Sequence, residues 1–444
     1  MDFMTLLAAA LPDNLIGKWL VQLSDNLPTF GVTVIVFTII VRLILSPLDI
    51  WQKISQRKQS KAMRRLQPKL AKLQKQYANQ PQLLRQKQAE LQKQEKLHPF
   101  ASCLPLIVTM VIFFVVFAGF RDLVAYQNEL IIENVYAAYT EYDADADNLY
   151  AMQAAGDYVV ESEVDKLAAS DTEGTAEDVP QEQKDALTAE ILKQIQDADG
   201  NYLAPGDTAN TDEYYVLYSE AFSLFDGWHS LGTVGEKNEY ADALSAEDKA
   251  VFDGVSSCFN DNKDEMLVAA YEEHMEGFLW IKNIFMADTG ANVVPSVSEF
   301  VGGRIQAQMP EAAAGVSYDE LTGPAQAALN KTGTWDVSRW NGYFVLPVIS
   351  IALSFLSTWF TQKMSPTTPM GDAKQQKSQQ RTMKILTYIM PLIMGLFAIM
   401  YSAAFAIYYF MSNLVSTLIN VIYIIIVKII DNKAQAKELV EIDE

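Results

Sequence analysis

The sequence predicts an all-α polytopic membrane protein with five membrane-spanning helices, a cytoplasmic helical hairpin and a mostly helical extracytoplasmic domain. Three observations lead to this prediction. Several uncharged apolar runs approach the 20 residues that a membrane-spanning helix needs. A block rich in Lys and Arg follows the first of these runs. A long acidic segment separates the second run from the third.

Residues 1–29 precede the first apolar run and contain an amphipathic pattern. Apolar residues recur at helical spacing between polar ones: Leu15, Ile16, Trp19, Leu20 and Leu23. The pattern predicts a short helix lying on the outer membrane surface, or alternatively a helix packed against the acidic domain. We expect no cleaved signal peptide, because such peptides begin with positive charge and the first basic residue here is Lys18.

Five spans are predicted from the apolar runs. They cover residues 30–48, 99–121, 341–362, 385–402 and 403–428. The last two come from 43 consecutive residues without a charge, which is too long for one span and suits two. We expect a tight turn near Ser402, Ala403 and Ala404 to divide them.

The distribution of charge predicts the orientation of the spans. Residues 49–98 contain 13 basic and 3 acidic residues, and the loop 363–384 and tail 429–444 also contain lysines. The segment 122–340 contains 43 of the 55 acidic residues and only 10 of the 34 basic ones. Because short basic loops stay in the cytoplasm, the N-terminus is predicted outside and the C-terminus inside.

Arg42 interrupts the first span and is the leading candidate for a functional residue. A charge at the centre of a membrane helix costs roughly 2.5 to 3.5 kcal/mol on insertion scales. The alternative is that its side chain snorkels to the membrane surface near Asp49. Helical side chains lean towards the N-terminus of their own helix, so Arg42 is expected to point back into the bilayer. Thr38, one turn earlier, is a candidate polar neighbour.

Residues 49–98 predict a basic helical hairpin. Its apolar residues recur in steps of three and four, as in a coiled coil: Met63, Leu66, Leu70, Leu73 and Tyr77. We expect Pro68 to bend or restart the first arm and Asn79–Pro81 to form the turn. Seven cations are candidates for contact with anionic lipids or ribosomal RNA: Arg57, Lys58, Lys61, Arg64, Arg65, Lys69 and Lys72. Composition does not choose between these two partners, and part of the charge serves to fix topology.

The acidic segment 122–340 is long enough for one domain or two small ones. Its Trp, Tyr and Phe content predicts a packed, mostly helical core. Two acidic motifs, beginning at Asp143 and Asp197, invite a calcium-binding interpretation, but neither has Gly and Glu at the sixth and twelfth loop positions. The three histidines and two cysteines show no metal-binding spacing, so we expect neither a metal nor a cofactor. Translocon or folding partners are the expected ligands of this domain.

Several segments, in this order, make the chain resemble the YidC family of membrane protein insertases. VRLILSPL at 41–48 is similar to the arginine-bearing first core span of that family. LQPKLAKLQKQY at 66–77 and HPFASCLPLIVTM at 98–110 resemble its cytoplasmic hairpin and second span. FVLPVISIALSFLSTWFTQKMS at 344–365 and MKILTYIMPLIMGLFAIMYSAAFAIYYFMSNLVS at 383–416 resemble its last three spans.

The resemblance implies an insertase in the bacterial plasma membrane, with Arg42 in a substrate groove. By position it adds Thr109, Tyr409 and Asn413 to the groove. Thr109 stands where many members have Gln, and the acidic segment is longer than the usual outer loop of the family. The implied partners are nascent membrane proteins, the ribosome, anionic lipids and, as an option, a Sec translocon, with no role for DNA.

The expected mechanism uses a wet groove open to the cytoplasm, which shortens the distance that a hydrophilic segment must cross in hydrocarbon. Hydrophobic partitioning would drive insertion, and the sequence contains no glycine-rich phosphate loop, so no enzymatic activity is expected. The sequence leaves two alternative functions to compare. A secondary transporter predicts repeated halves, which the sequence lacks. A receptor with an acidic ligand-binding ectodomain leaves Arg42 and the basic hairpin unexplained.

Overall fold

In the residues that it describes, the computed structural model contains helices and loops, and its only β-structure is two isolated bridges, Gln196 with Tyr202 and Phe278 with Ile281. It describes residues 15–77, 80–94, 104–145, 148–170, 179–303, 305–333, 335–364, 381, 388–389 and 391–442. In chain order the helices are α1 (Leu15–Ser24), α2 (Phe30–Gln76), α3 (Pro81–Gln94), α4 (Leu104–Ala144), α5 (Leu149–Ser170), α6 (Gln181–Ile195), α7 (Glu213–His229), α8 (Val234–Ala243), α9 (Ala246–His274), α10 (Val297–Phe300), α11 (Tyr318–Leu329), α12 (Val345–Met364), α13 (Pro391–Met400) and α14 (Ala403–Ile442). The predicted all-α class is confirmed.

The chain divides into two compact units. We call the first the membrane unit; it contains Met1–Leu130, Met275–Ala312 and Leu329–Glu444. The second, the insert unit, contains Ile131–His274 and Ala313–Ala328. The predicted acidic domain therefore does not stay together, because residues 275–312 and the stretch before α12 pack with the membrane helices.

Within the described part of the chain, three helices are long and apolar enough to cross a membrane, over Phe30–Ser55, Met110–Ala144 and Ala403–Ile430. Two shorter apolar helices, Val345–Phe360 and Pro391–Met400, fall within the predicted third and fourth spans. The chain is thus a multi-pass membrane protein, and the count of five spans stays a prediction. Most of the predicted loop 363–384 lies outside the described residues.

Helix α2 continues through both of its prolines, Pro47 and Pro68, and does not restart at Pro68 as expected. A proline removes the hydrogen bond that its nitrogen would give to the carbonyl four residues earlier. At Pro47 that carbonyl belongs to Leu43, and the Ser46 hydroxyl donates to it at 2.8 Å. The serine thus replaces the lost donor, so the first span runs directly into the hairpin arm.

Three local predictions can be compared with the structure of the membrane unit. Helix α1 packs against the beginning of α2 with Leu20 fully buried, while Leu15 and Trp19 stay exposed. In the hairpin, Leu66 and Leu70 are buried together with Leu91 of the return arm, as the spacing predicts. The turn between α13 and α14 falls at Ser402, whose backbone carbonyl and hydroxyl accept hydrogen bonds from amides in the first turn of α14.

The insert unit has an aromatic core between α5, α6, α7 and α9. Tyr218, Phe225 and Phe259 are buried there, and Trp228 packs at its edge.

The acidic motifs accept hydrogen bonds from backbone amides. The Asp145 carboxylate accepts from the amides of Tyr150 and Ala151 at 2.9 and 2.8 Å and so caps α5. Among the described residues, no group of three His, Cys, Asp or Glu is placed to hold a metal ion.

Candidate functional site

The Arg42 side chain lies inside the membrane unit and contacts a second helix. Its Nε donates to the hydroxyl of Ser412, on α14, at 2.5 Å. Ser412 is buried, with 1% of its surface exposed, and Arg42 is half-buried. Helices α2 and α14 pack along each other at this contact. The guanidinium is therefore held between two membrane helices by a polar partner.

The positions of Arg42 and Ser412 along their helices can be compared. Arg42 lies 12 residues after the start of α2, or about 18 Å along its axis, and Ser412 lies 9 residues after the start of α14, or about 14 Å. Ser412 is thus three residues nearer to the start of its helix than Arg42 is to the start of α2. The predicted direction of the Arg42 side chain and the snorkelling alternative both stay predictions.

Two residues implied by the resemblance, Tyr409 and Asn413, lie next to this contact. The Asn413 amide donates to the backbone carbonyl of Ser350, on α12, at 3.5 Å. The side chains of Asn413, Ser354 and Arg42 lie close enough to the buried Tyr409 hydroxyl to act on it electrostatically. The structure therefore brings Arg42, Tyr409 and Asn413 together.

A row of polar side chains extends this cluster along the interface between α12 and α14. We call it the α12–α14 seam; it comprises Ser350, Ser354, Ser357, Tyr409, Asn413 and Asn420. The Asn420 amide donates to the Ser357 hydroxyl at 2.8 Å. The buried Ser350 hydroxyl has no hydrogen-bond partner among the described residues. Buried hydroxyls are usually paired, and this one is an exception.

The structure describes the side chain of only one of the two threonines predicted to line the groove. Thr38 is fully buried, and its hydroxyl donates to the Val34 carbonyl of its own helix at 2.6 Å. Thr109 lies on α4, but its side chain is outside the described part of the structure. Their role as groove lining stays a prediction.

Sequence reasoning missed Ser412, Ser350 and Ser354. The signal was present, because polar residues recur at helical spacing in the charge-free runs. In α14 they are Tyr409, Ser412, Asn413, Ser416, Thr417 and Asn420. In α12 the three serines are spaced by four and three residues. Such spacing places them on one face of each helix and predicts a helix–helix contact in a membrane.

The other face of α2 near Arg42 is apolar and exposed. Ile40, Leu43 and Ile44 are 41, 60 and 62% exposed. Exposed branched residues on a membrane-spanning helix are suited to lipid tails. The helix thus presents its apolar face outwards and its cation to the seam helix α14.

A separate cavity, partly open to solvent, lies at the start of α14, and Arg42 does not line it. Its walls are mainly aromatic and aliphatic and include Phe117, Phe120, Tyr401 and Phe405. Arg121 and Glu299 also reach it. This cavity is consequently distinct from the polar site at Arg42.

The hairpin displays part of its predicted cationic surface. Lys58, Arg65, Lys69 and Lys72 are exposed, and Arg57 is half-buried. The side chains of Lys61 and Arg64 lie outside the described residues. The exposed cations are therefore accessible to anionic lipid headgroups or RNA.

The chain matches the sequence profile of the family described as 60Kd inner membrane protein over residues 22–153 and 264–430. The matched ranges contain α2, the α12–α14 seam and the cluster around Arg42. The gap between them, residues 154–263, falls within the insert unit.

Curated relatives carry the name membrane protein insertase YidC. The relative from Fusobacterium nucleatum is 39% identical over 113 residues, which are 24% of this chain and 53% of the relative. The one from Clostridium perfringens is 41% identical over 98 residues, 22% of this chain and 40% of the relative. The one from Oceanobacillus iheyensis is 43% identical over 88 residues, 19% of this chain and 33% of the relative. The chain thus spans about half or less of their length, and no solved structure matches it.

Proposed function

The chain belongs to the 60Kd inner membrane protein family, that of the YidC insertases, and from this membership we propose that it is itself a membrane protein insertase. It moves nascent transmembrane segments and short hydrophilic tails into the bilayer through a hydrated groove that contains Arg42. The relatives are named membrane protein insertases, and the residue ranges that match the family contain the Arg42 site of this chain. On this ground we extend the named activity to this chain.

One observation supports the proposal most directly: the Arg42 guanidinium is held by Ser412 within the helix bundle. An intramembrane cation costs free energy, and such residues usually face a cavity or a pathway. Here the cation attracts acidic and polar groups of an entering chain, while Tyr409 and Asn413 offer hydrogen bonds beside it. The site thus lowers the cost of bringing a hydrophilic segment below the membrane surface.

The energy for insertion comes from the substrate. An apolar segment that leaves the groove for lipid gains roughly 0.8 kcal/mol per buried methylene group. The exposed apolar face of α2 borders the lipid next to Arg42 and gives the segment a continuous apolar route. This drive requires no nucleotide, and the absence of enzymatic activity stays a prediction.

We place the N-terminus outside and the C-terminus in the cytoplasm of a bacterial cell membrane. This orientation follows from the excess of Lys and Arg in residues 49–98 and the acidic character of 122–340. It puts the hairpin on the side where ribosomes and anionic lipids are found. The exposed Arg65 and Lys72 are suited to either partner, and the insert unit faces outside, where a Sec translocon or a folding client would reach it.

The test replaces Arg42 in cells depleted of their own insertase. We expect Arg42→Ala and Arg42→Glu to lower insertion of a client with an acidic hydrophilic tail by about tenfold or more, since one charge-assisted contact is worth about 1.5 to 3 kcal/mol. Arg42→Lys keeps the charge and should retain part of the activity.

Arg121→Ala is the matched control, because it removes an arginine that is partly exposed and paired with Asp122 at 2.9 Å. It should leave insertion unchanged. Wild-type insertion by Arg42→Ala and Arg42→Glu at equal protein levels would remove the electrostatic role from the mechanism.

A further inference from the structure

Residues 276–288, between α9 and α10, form what we call the capping segment. It belongs to the membrane unit although it lies within the acidic part of the sequence. Its chain reverses at Phe278 and Ile281, whose amides and carbonyls pair at 2.9 and 3.0 Å. Leu279, within this reversal, has a φ of 57°, a conformation that the surrounding contacts must hold in place.

The capping segment binds the first turn of α2. The Phe30 amide donates to the Glu276 carboxylate at 2.7 Å. The Phe30 ring packs against Phe285, with ring centroids 5.3 Å apart. Gly31 allows a close approach, because a Cβ at this position would collide with the ring of Phe278. The segment therefore supplies a carboxylate and an aromatic contact at the helix end, where the free amides favour negative charge.

The same segment binds the start of α12 through Asp288, which is fully buried. Its carboxylate accepts from the amides of Tyr343 and Leu346 at 3.0 and 2.9 Å. The Trp280 indole donates to it at 3.3 Å. A buried carboxylate is stable only when its oxygens are hydrogen-bonded, and here both are.

The start of α14 is bound by backbone atoms of the segment. The Ala403 amide donates to the Met286 carbonyl at 2.7 Å, and the Ala404 amide donates to the Ile284 carbonyl at 2.9 Å. These carbonyls are fixed by two fully buried asparagines, Asn283 and Asn341. The Asn341 amide group donates to the carbonyls of Asn283 and Ala287 at 2.9 and 2.8 Å. One short segment thus caps the free amides of three membrane helices.

We propose that Glu276 and Asp288 are positioning residues for the Arg42 site. They fix the ends of α2 and α12 to the capping segment, which also binds α14. These contacts set the register of the three helices, that is, the position of each along its axis relative to the other two. The register decides whether Arg42 meets Ser412 and whether Asn413 meets Ser350, because these contacts join the same three helices. The inference rests on the proposed function, which gives the Arg42 site its use.

The test measures the distance between α2 and α14 in the full chain. Nitroxide labels are attached at Ile40→Cys and Leu418→Cys, two positions that are 41 and 54% exposed, in a background of Cys103→Ser and Cys258→Ser. Electron paramagnetic resonance in nanodiscs should give one narrow distance distribution. We expect Glu276→Ala to broaden it by about twofold, since the end of α2 loses its anchor. Glu276→Gln keeps an acceptor oxygen and should preserve the narrow distribution.

Glu311→Ala is the matched control, because it removes an exposed acidic residue outside the capping segment. Insertion is measured in parallel with one client that depends on Arg42 and one that does not. A positioning role predicts that Glu276→Ala lowers insertion of the first client by about tenfold and leaves the second unchanged. General destabilisation would lower both.

An unchanged distance distribution in well-folded Glu276→Ala overturns the inference, whatever happens to insertion. A broadened distribution, together with normal insertion of every client by Arg42→Ala, supports the inference and rejects the proposed function. If Glu276→Ala does not accumulate in membranes, Asp288→Asn decides, because it removes one of two acceptor oxygens at α12. For this variant the labels are placed at Ile40→Cys and Val348→Cys, which is 58% exposed on α12. An unchanged distribution there also overturns the inference.

Discussion

The contact between Arg42 and Ser412 gives the sharpest prediction about the site. Ser412→Ala removes the only acceptor that the described residues show for the Arg42 Nε. A hydrogen bond to a charged group contributes about 1.5 to 3 kcal/mol, and the lower value applies here because the guanidinium keeps its other donors. About 1.5 kcal/mol corresponds to about a tenfold change in an equilibrium or rate constant. We therefore expect about tenfold slower insertion of an Arg42-dependent client.

The assay is insertion into proteoliposomes, scored by protease protection of the client, in a double-mutant cycle. Ser412→Ala and Arg42→Ala are measured singly and together, and Ser412→Thr serves as the conservative variant because it keeps the hydroxyl. Ser416→Ala is the matched control, one turn further along α14. If the two residues act together, Ser412→Ala adds nothing in the Arg42→Ala background. Additive losses, or wild-type activity of Ser412→Ala beside a defective Arg42→Ala, would refute the coupling.

Three further predictions concern groups outside the spans. Burial raises the pKa of the Cys258 thiol to about 12, so in a Cys103→Ser background iodoacetamide at pH 8 should alkylate the folded chain about a thousandfold more slowly than the urea-unfolded one; equal rates would contradict this burial. Burial also raises the pKa of Asp157, so the folded insert unit binds that proton more tightly than the unfolded chain. The contribution of the protonated Asp157 carboxyl to stability is complete below its pKa in the unfolded chain. This contribution is lost as the pH rises through its pKa in the folded chain. Melting curves should show the wild type gaining stability over Asp157→Asn as the pH falls from 7 to 4, and a constant difference would contradict this. Replacing the exposed Arg65 and Lys72 by Gln should weaken ribosome binding in nanodiscs, and rising salt should weaken wild-type binding; insensitivity to both would leave the hairpin a topology signal only.

Much of the fold follows from periodicity that is visible in the sequence. The apolar contact of Leu66 and Leu70 within the hairpin was predicted from steps of three and four residues. The turn at Ser402 was predicted from the length of a charge-free run. Each of these depends on neighbours within one or two helical turns, which a single sequence displays.

The continuity of α2 could not be predicted from its prolines alone. A proline inside a helix costs about 3 kcal/mol, which favours a break or a kink. The outcome depends on whether another donor reaches the freed carbonyl, and at Pro47 the hydroxyl of the preceding Ser46 does so. Predicting a break at Pro47 therefore requires knowing whether such a donor is present, and the position of the proline does not show this.

The partners of the site were hidden for a different reason. Ser412, Ser350 and Ser354 are small residues in apolar runs, and only the packing of α12 and α14 shows which residues they meet. In a membrane such small polar residues allow helices to approach closely and to hydrogen-bond. Their spacing predicted a shared face, but no local rule identifies the helix that packs against it.

The capping segment shows why charge counting placed the boundary of the acidic domain differently from the structure. Asp288 and Glu276 are 2 of 43 acidic residues between positions 122 and 340, and by composition they do not differ from the others. Asp288 is nevertheless fully buried and binds two backbone amides and an indole, whereas Glu311 is exposed. An acidic residue serves a helix end when the free amides of that end lie within hydrogen-bonding distance, and this depends on contacts between segments distant in sequence. Within residues 122–340, the part that binds the membrane helices is therefore distinguished by its buried hydrogen bonds and not by its charge. Those hydrogen bonds form only in the folded chain.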